Sequence, residues 1–107
     1  MAKIPRVKLP KKAKAGSVVQ IKTLASHPME TGLRKDKKGK PIPRLILNNF
    51  SCSLNGKELF GADMFTSVSA NPYISFFITA KESGSYVFKW TDDNGEVISV
   101  SKDMAVS

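Results

Sequence analysis

Apolar and polar residues alternate along most of this 107-residue chain, and this period of two limits what it can fold into. Side chains of a β-strand point alternately to the two faces of a sheet, so strict alternation predicts strands with one buried face. No window of eleven or more residues repeats apolar positions at helical spacing. The pattern therefore predicts an all-β protein.

Seven segments carry the alternation, and turn residues separate them. The predicted strands are residues 4–9, 17–25, 45–54, 57–63, 73–80, 86–91 and 96–106. Asn55-Gly56 is the strongest short hairpin signal, because both residue types tolerate the positive φ angles of a type I′ turn. Seven short strands within about 100 residues favour an immunoglobulin-like antiparallel β-sandwich over a closed barrel.

Three of these segments carry more specific predictions. Pro5 and Pro10 bracket the first segment, and since proline cannot donate to a ladder they predict a position at a sheet edge. Segment 73–80 has bulky residues at both its odd-numbered and its even-numbered positions, which predicts a central strand buried on both faces. Tyr86 follows a Ser-Gly corner and is either a tyrosine corner, bonded back to the preceding turn, or an ordinary core residue.

Length and charge limit the domain organisation and the partners. Residues 1–107 suffice for a single domain, and the hydrophobic fraction of 41% can fill one core. The formal net charge is +8, and twelve of the seventeen Lys and Arg residues lie within residues 1–16 and 33–44. Such a field attracts an acidic partner, whether a nucleic acid, an anionic membrane or an acidic protein.

Residues 26–44 form a long basic loop that a tight sandwich does not require. The connection of nineteen residues exceeds common loop lengths, and its prolines and glycines oppose regular structure. Loops of this length are usually either functional or disordered. We therefore expect functional residues in this loop.

His27 and Cys52 are the only histidine and the only cysteine, and neither has the companions that catalysis requires. A catalytic or metal-bound imidazole needs a nucleophile with an orienting group, or about three protein ligands. Pro28 keeps His27 out of helical geometry, so we predict that its side chain hydrogen-bonds the loop backbone. Cys52 lies in phase with Phe50 and Leu54, which predicts a buried structural thiol.

Motifs that would indicate an enzyme are absent from the sequence. There is no Gly-rich phosphate-binding loop, no serine elbow and no paired catalytic carboxylates. Residues 92–95, Asp-Asp-Asn-Gly, lack the spacing of a calcium loop and indicate a hairpin turn. We expect no catalytic residue, no cofactor and no metal. The aromatic residues lie on strands in core register and not among the cations, which disfavours nucleic acid as the partner.

Five blocks of the sequence together resemble the SoxZ family, the smaller subunit of the SoxYZ carrier of bacterial thiosulfate oxidation. In chain order they are IKTLASHPMETG, RKDKKGKPIPR, NNFSCSLNGKELFGADM, VSANPYISFFITA and ESGSYVFKWTDDNG. Any one block alone is weak, but their order and separation make the resemblance specific. It extends from Arg6 to Val106.

The resemblance implies an immunoglobulin-like sandwich that pairs with a SoxY-type subunit. In that family SoxY bears a C-terminal Gly-Gly-Cys-Gly-Gly arm whose thiol covalently carries sulfur intermediates, and other Sox enzymes contact the complex transiently. This chain ends in SKDMAVS, and Cys52 matches no part of such an arm. Its N-terminus has no apolar run after the first charges, so we expect no secretory signal. The resemblance then implies a periplasmic location reached by export together with SoxY.

We expect the partner interface to use one sheet and the neighbouring long loop. Met29 and Tyr73 are the predicted apolar anchors and Arg44 the charge-assisted donor, with His27 and Asn71 beside them. The alternative roles are local: Asn71 would cap a turn before Pro72, and Arg44 would pack its stem on the sandwich.

Other classes of function stay open at the level of sequence. One is a generic basic β-sandwich adaptor for another acidic partner, and the other is a single-stranded nucleic-acid-binding module. No segment approaches the length needed to span a membrane, and we expect no membrane association. The sequence leaves open whether the isolated chain forms a homodimer.

Overall fold

A computed structural model of the chain describes residues 4–107. Eight β-strands form its regular structure, and this range contains no helix. The strands are β1 Arg6–Lys8, β2 Lys12–Ala13, β3 Val18–Leu24, β4 Leu47–Leu54, β5 Lys57–Asp63, β6 Tyr73–Thr79, β7 Gly84–Asp92 and β8 Val97–Val106.

The strands form two sheets that enclose one core. The three-stranded sheet has the order β1-β3-β6, and the five-stranded sheet has the order β2-β8-β7-β4-β5. Neighbouring strands pair antiparallel except β2, which pairs parallel with β8. The predicted all-β, immunoglobulin-like sandwich is confirmed.

Phe50 on β4 lies at the centre of the core between the sheets. Its ring centroid is 5.0 Å from that of Trp90 on β7 and 5.9 Å from that of Phe76 on β6. Phe50 and Trp90 are fully buried. Burial of one such side chain stabilises the fold by about 1.5–3 kcal/mol, so this cluster holds the two sheets together.

The first predicted strand, residues 4–9, corresponds to β1, and a short strand that was not predicted, β2, follows it on the other sheet. β1 lies at the edge of the three-stranded sheet, and the edge position predicted from its prolines is confirmed. The chain then passes Pro10 and reaches the five-stranded sheet, where Lys12 pairs with Ala105. Two residues of strand carry too little alternation to be recognised from sequence.

The prediction that segment 73–80 is a central strand buried on both faces is wrong. Within the described residues β6 pairs with β3 alone and lies at the edge of its sheet. Phe76 points into the core, whereas Tyr73 and Phe77 are 58% and 66% exposed. Bulky residues at both parities therefore mark an exposed aromatic face here, not a second buried one.

The two predicted hairpin turns are present, and Tyr86 meets both of the alternatives given for it. Asn55 and Gly56 have φ angles of 50° and 86° in the β4–β5 turn. The Tyr86 hydroxyl donates to the Glu82 carbonyl at 3.4 Å, the geometry of a tyrosine corner, while its ring is buried. Asp92 Oδ1 closes the β7–β8 turn by accepting the backbone N–H groups of residues 94 and 96 at 2.8 and 2.9 Å.

Candidate partner-binding surface

The start of the long loop is joined to the segment that precedes β6. The His27 N–H donates to Asn71 Oδ1 at 3.0 Å, and the Asn71 N–H donates to the His27 carbonyl at 2.8 Å. The Ala25 N–H donates to the Pro72 carbonyl at 3.0 Å, so the pairing of β3 with β6 continues past the ends of both strands. Asn71 has a φ of 53°, a conformation that asparagine tolerates better than most residues.

The His27 side chain orders the loop that contains it. Its Nδ1 accepts the Met29 N–H at 2.9 Å, which requires the neutral imidazole with its proton on Nε2. Burial lowers the pKa of His27, while the charges of Asp92 and Asp93 act to raise it. This contact agrees with the prediction that His27 hydrogen-bonds the loop backbone.

Met29, predicted as an apolar anchor of the interface, is buried in the core. Only 4% of its surface is exposed, and its Sδ accepts the Leu47 N–H at 3.3 Å. The reason is that the alternation of β3 continues beyond the strand: Ala25, His27 and Met29 are buried, and the residues between them are exposed. In this structure Met29 therefore has almost no surface with which to anchor a partner.

Asp93 joins the end of the long loop to the β7–β8 turn. Its Oδ2 accepts hydrogen bonds from Arg44 Nε at 3.0 Å and from the Ile46 N–H at 3.1 Å, and its Oδ1 accepts one from Asn48 Nδ2 at 3.1 Å. The Asn48, Ile46 and Arg44 donors together hold the pKa of Asp93 below its ordinary value. Sequence reasoning missed Asp93, because no local pattern joins a turn carboxylate to a loop so distant in the chain.

Arg44 keeps part of its surface available although it is paired with Asp93. Its side chain is 52% exposed, so a partner carboxylate could still reach the guanidinium. The interface role predicted for Arg44 stays a prediction. The same holds for His27 and Asn71, whose observed contacts are within the chain.

Residues 33–42 form a hairpin-like basic projection in the middle of the loop. The Ile42 N–H donates to the Arg34 carbonyl at 2.8 Å, and the Asp36 N–H donates to the Lys40 carbonyl at 2.9 Å. Asp36 Oδ1 accepts the N–H groups of Lys38 and Lys40, so the one carboxylate of the projection is used to order its turn. The exposed cations of the projection are Arg34, Lys35, Lys37, Lys38 and Lys40.

The outward side of the three-stranded sheet combines aromatic and cationic residues, and we name it the aromatic face. Its residues are Arg6, Lys8, Val18, Gln20, Lys22, Leu24, Tyr73, Ser75, Phe77 and Thr79. None of these ten side chains is a carboxylate. Leu24 lies opposite Tyr73 and Gln20 lies opposite Phe77, with the polar pair Lys22 and Ser75 between them. The two exposed rings therefore lie on one face, separated by one polar pair.

Two shallow pockets adjoin the aromatic face. One, of ≈ 290 Å³, lies at the end where Arg6, Leu24 and Asn71 meet. The other, of ≈ 220 Å³, lies between β1 and β3 beside Lys8 and Lys22. The face is therefore uneven, which allows a partner side chain to be held at either end.

The outward side of the five-stranded sheet has a different composition. Its residues on β4, β7 and β8 are mostly small and polar: Asn49, Ser51, Ser53, Val87, Lys89, Thr91, Val97, Ser99 and Ser101. Binding hot spots are enriched in Tyr, Trp and Arg, and Ser and Thr are under-represented among them. The aromatic face, which contains Tyr73, is therefore the better candidate for partner binding.

Cys52 is unsuited to chemistry at the surface. The thiol is fully buried in the core, and burial raises its pKa to about 11. A thiol with that pKa stays protonated near neutral pH and lacks access to a substrate.

Between residues 4 and 107 no three His, Cys, Asp or Glu side chains are grouped so that they could hold a metal ion. Within the described part of the chain, no helix has the length and apolarity needed to cross a membrane.

The fold and its surfaces define a class of protein, a small immunoglobulin-like sandwich with an exposed aromatic face bordered by cations. The model of the family "Sulphur oxidation protein SoxZ" matches residues 7–103. The chain belongs to the SoxZ family, which gives it a role in the Sox system of sulfur oxidation.

Several solved structures share the fold at low sequence identity. A superoxide reductase (neelaredoxin) from Ignicoccus hospitalis is 16% identical with a TM-score of 0.73, over 99% of this chain and 82% of that one. The sulfur carrier protein SoxY from Chlorobium limicola f. thiosulfatophilum is 15% identical with a TM-score of 0.65, over 96% and 78%. The CARDB domain of a Pyrococcus furiosus protein is 13% identical with a TM-score of 0.52, over 96% and 92%. These likenesses show the fold alone, and no curated protein sequence matches the chain.

Proposed function

We propose that this chain is the non-catalytic subunit of a SoxYZ carrier complex. It pairs with a SoxY-type subunit whose C-terminal Gly-Gly-Cys-Gly-Gly arm covalently carries sulfur intermediates during thiosulfate oxidation, and other Sox enzymes contact the complex transiently. Membership of the SoxZ family over residues 7–103 supports this role. The buried, protonated thiol of Cys52 supports assigning the sulfur-bearing cysteine to the partner.

A periplasmic location belongs to the same proposal. The partner would carry the export signal, and this chain would travel with it as a folded complex. Localisation of this chain in cells with and without the SoxY-type subunit tests that step.

The observation that carries the docking proposal is the aromatic face. Tyr73 and Phe77 expose 58% and 66% of their surfaces there. An aromatic side chain can bury about 150–250 Å² of surface, and covering two of them supplies a substantial part of an interface. Arg6, Lys8 and Lys22 lie on the same face as these rings, and none of the face residues is a carboxylate. This positive charge suits an acidic partner and accelerates encounter. We place the SoxY-type subunit on this face, with Tyr73 as an anchor.

His27 and Asn71 act as positioning residues in this proposal. Their two mutual hydrogen bonds hold the loop ends where Tyr73 begins β6 and where the pocket beside Arg6 opens. The basic projection of residues 33–42 is part of the same loop, and its positive charge attracts acidic surfaces.

Substitution of Tyr73 tests the docking face. Tyr73→Ala removes an exposed anchor and is expected to weaken binding to the SoxY-type subunit by about 30-fold, the equivalent of about 2 kcal/mol for a hot-spot residue. Titration calorimetry with the purified subunit measures the change.

Phe65→Ala is the matched control, because Phe65 is also aromatic and 65% exposed but lies outside the aromatic face. We expect Phe65→Ala to bind as the unmodified chain does. Normal binding by Tyr73→Ala, with weakened binding by Phe65→Ala, would move the docking site away from this face. Absence of any binding by the unmodified chain would contradict the proposed function itself.

A further inference from the structure

β6 is an edge strand without the features that usually protect such strands. Its sequence YISFFIT is seven residues long and has neither a charge nor a proline. In the described structure it pairs with β3 alone, so alternate backbone N–H and C=O groups on its other side have no strand partner. A long, apolar, uncharged edge readily pairs with another chain unless something covers it.

The other three sheet edges are short or charged. β1 has three residues with Arg6 and Lys8 on it, and β2 has only two residues. β5 begins with Lys57 and Glu58 and ends with Asp63. Short edge strands and edge charges are the ordinary means of preventing unwanted pairing. Among the sheet edges that the structure describes, only β6 is neither short nor charged.

An open groove of ≈ 500 Å³ lies beside this edge, between β6 and β5 of the opposite sheet. Leu59, Phe77 and Ile78 give it apolar walls. Its lining includes two cations, Lys57 and Lys81, and one carboxylate, Glu82, so the groove carries net positive charge. A strand added along β6 would place every second side chain toward this groove.

We propose that the free side of β6 accepts an extended strand of the SoxY-type partner, which becomes the fourth strand of the three-stranded sheet. Main-chain hydrogen bonds to β6 supply affinity, and the groove selects apolar side chains at alternate positions of the incoming strand. β6 also carries Tyr73 and Phe77, so the edge is continuous with the aromatic face. The inference rests on the proposed pairing with that subunit.

The charges favour an acidic partner over a second copy of this chain. Each copy has a formal net charge of +8, so pairing of two β6 edges would bring two strongly cationic molecules together. The groove border adds Lys57 and Lys81 to that repulsion, with Glu82 as its opposing charge. An incoming strand with acidic residues at its ends complements this border.

Amide hydrogen exchange of the whole complex tests the inference. Strand addition would protect the alternate β6 amides that point away from β3, and we expect their exchange to slow by about 100-fold on binding the SoxY-type subunit. Leu59→Lys, which puts a charge in the groove without changing the aromatic face, is expected to weaken binding by about 10-fold. Val97→Lys is the control, because Val97 is exposed on the other sheet.

The outcomes separate this inference from the proposed function. If the complex forms while the exchange of those amides is unchanged, strand addition is overturned and the pairing stands. If no complex forms, both are overturned. If the isolated chain already protects these amides in a concentration-dependent manner, a second copy and not the acidic partner occupies the edge, which overturns the choice of partner.

Discussion

His27 connects the protonation state of one side chain to the conformation of the long loop. Its Nδ1 accepts the Met29 N–H, and this bond is lost when the ring is protonated, because both nitrogens then carry hydrogen. Met29 is itself held in the core with a φ of 51°. The neutral imidazole therefore stabilises a backbone conformation that is otherwise unfavourable for a residue other than glycine.

This contact predicts a pH dependence of stability. The pKa of His27 is lowered in the folded chain relative to 6.5, so the unfolded chain binds the proton first as the pH falls. The stability that the neutral His27 contributes is therefore complete above pH 6.5. It is lost as the pH falls from 6.5 through the folded pKa. Urea unfolding between about pH 7.5 and 5 should show a declining free energy of unfolding, and His27→Gln should remove most of this slope.

The interval above pH 5 isolates His27 from the acidic groups. Glu30 and Asp93 also have lowered pKa values, from 4.5 and 3.8, so the stability they contribute is lost only at lower pH. An equal slope in His27→Gln and in the unmodified chain would contradict the role given to the imidazole.

Single residues were predictable where the reason for their position is local. Cys52 is buried because it shares the parity of Phe50 and Leu54, and that parity is visible in the sequence. The contact between Asn71 and His27 joins residues far apart in the chain, and no local pattern reports it. The burial of Met29 was not predicted, because the predicted strand ended at residue 25 whereas the burial pattern of β3 continues to residue 29.

At the scale of elements, the positions of the strands along the chain were predictable, but which strands lie next to each other in the sheets was not. Alternation and turn chemistry located β3 to β8 to within a few residues. Position in a sheet depends on pairing across the fold, and β6 shows the consequence: its aromatic residues suggested a central strand, but it lies at an edge. Parity separates the two faces of a strand without telling which face meets the core.

We expect charge reversal on the outward faces of the two sheets to change the association rate differently. Lys22→Glu places a negative charge on the aromatic face beside the proposed contact, and we expect the association rate with the SoxY-type subunit to fall about 10-fold at low salt. Lys89→Glu changes the net charge equally on the outward side of the five-stranded sheet and should have a small effect. Stopped-flow measurements at several salt concentrations compare them, and equal effects would show that total charge, not the aromatic face, governs association.

At the scale of the whole molecule, the sandwich follows from the number of strands and the turns between them. One core between two sheets uses most of the large apolar residues, and the exposed exceptions concentrate on particular surfaces such as the aromatic face. The sequence could supply the fold class and the family resemblance, because both depend on patterns along the chain. It could not indicate which face is free, because that depends on how the sheets stack.

In the proposed function a partner subunit carries the sulfur, and this chain provides a docking surface. The structure contributes two physical reasons: the cysteine is buried and protonated, and an aromatic face with a cationic border is exposed. A generic adaptor for another acidic protein would share the second reason. A single-stranded nucleic-acid binder would instead retain an oligonucleotide at physiological salt through base stacking.

Intact-mass analysis of the complex purified through this chain from thiosulfate-grown cells determines which subunit carries the sulfur. We expect a SoxY-type partner ending in a glycine-rich cysteine arm, with sulfur adducts on that partner and an unmodified mass for this chain. A complex without such a partner, or a sulfur adduct on Cys52 of this chain, would contradict the proposed function.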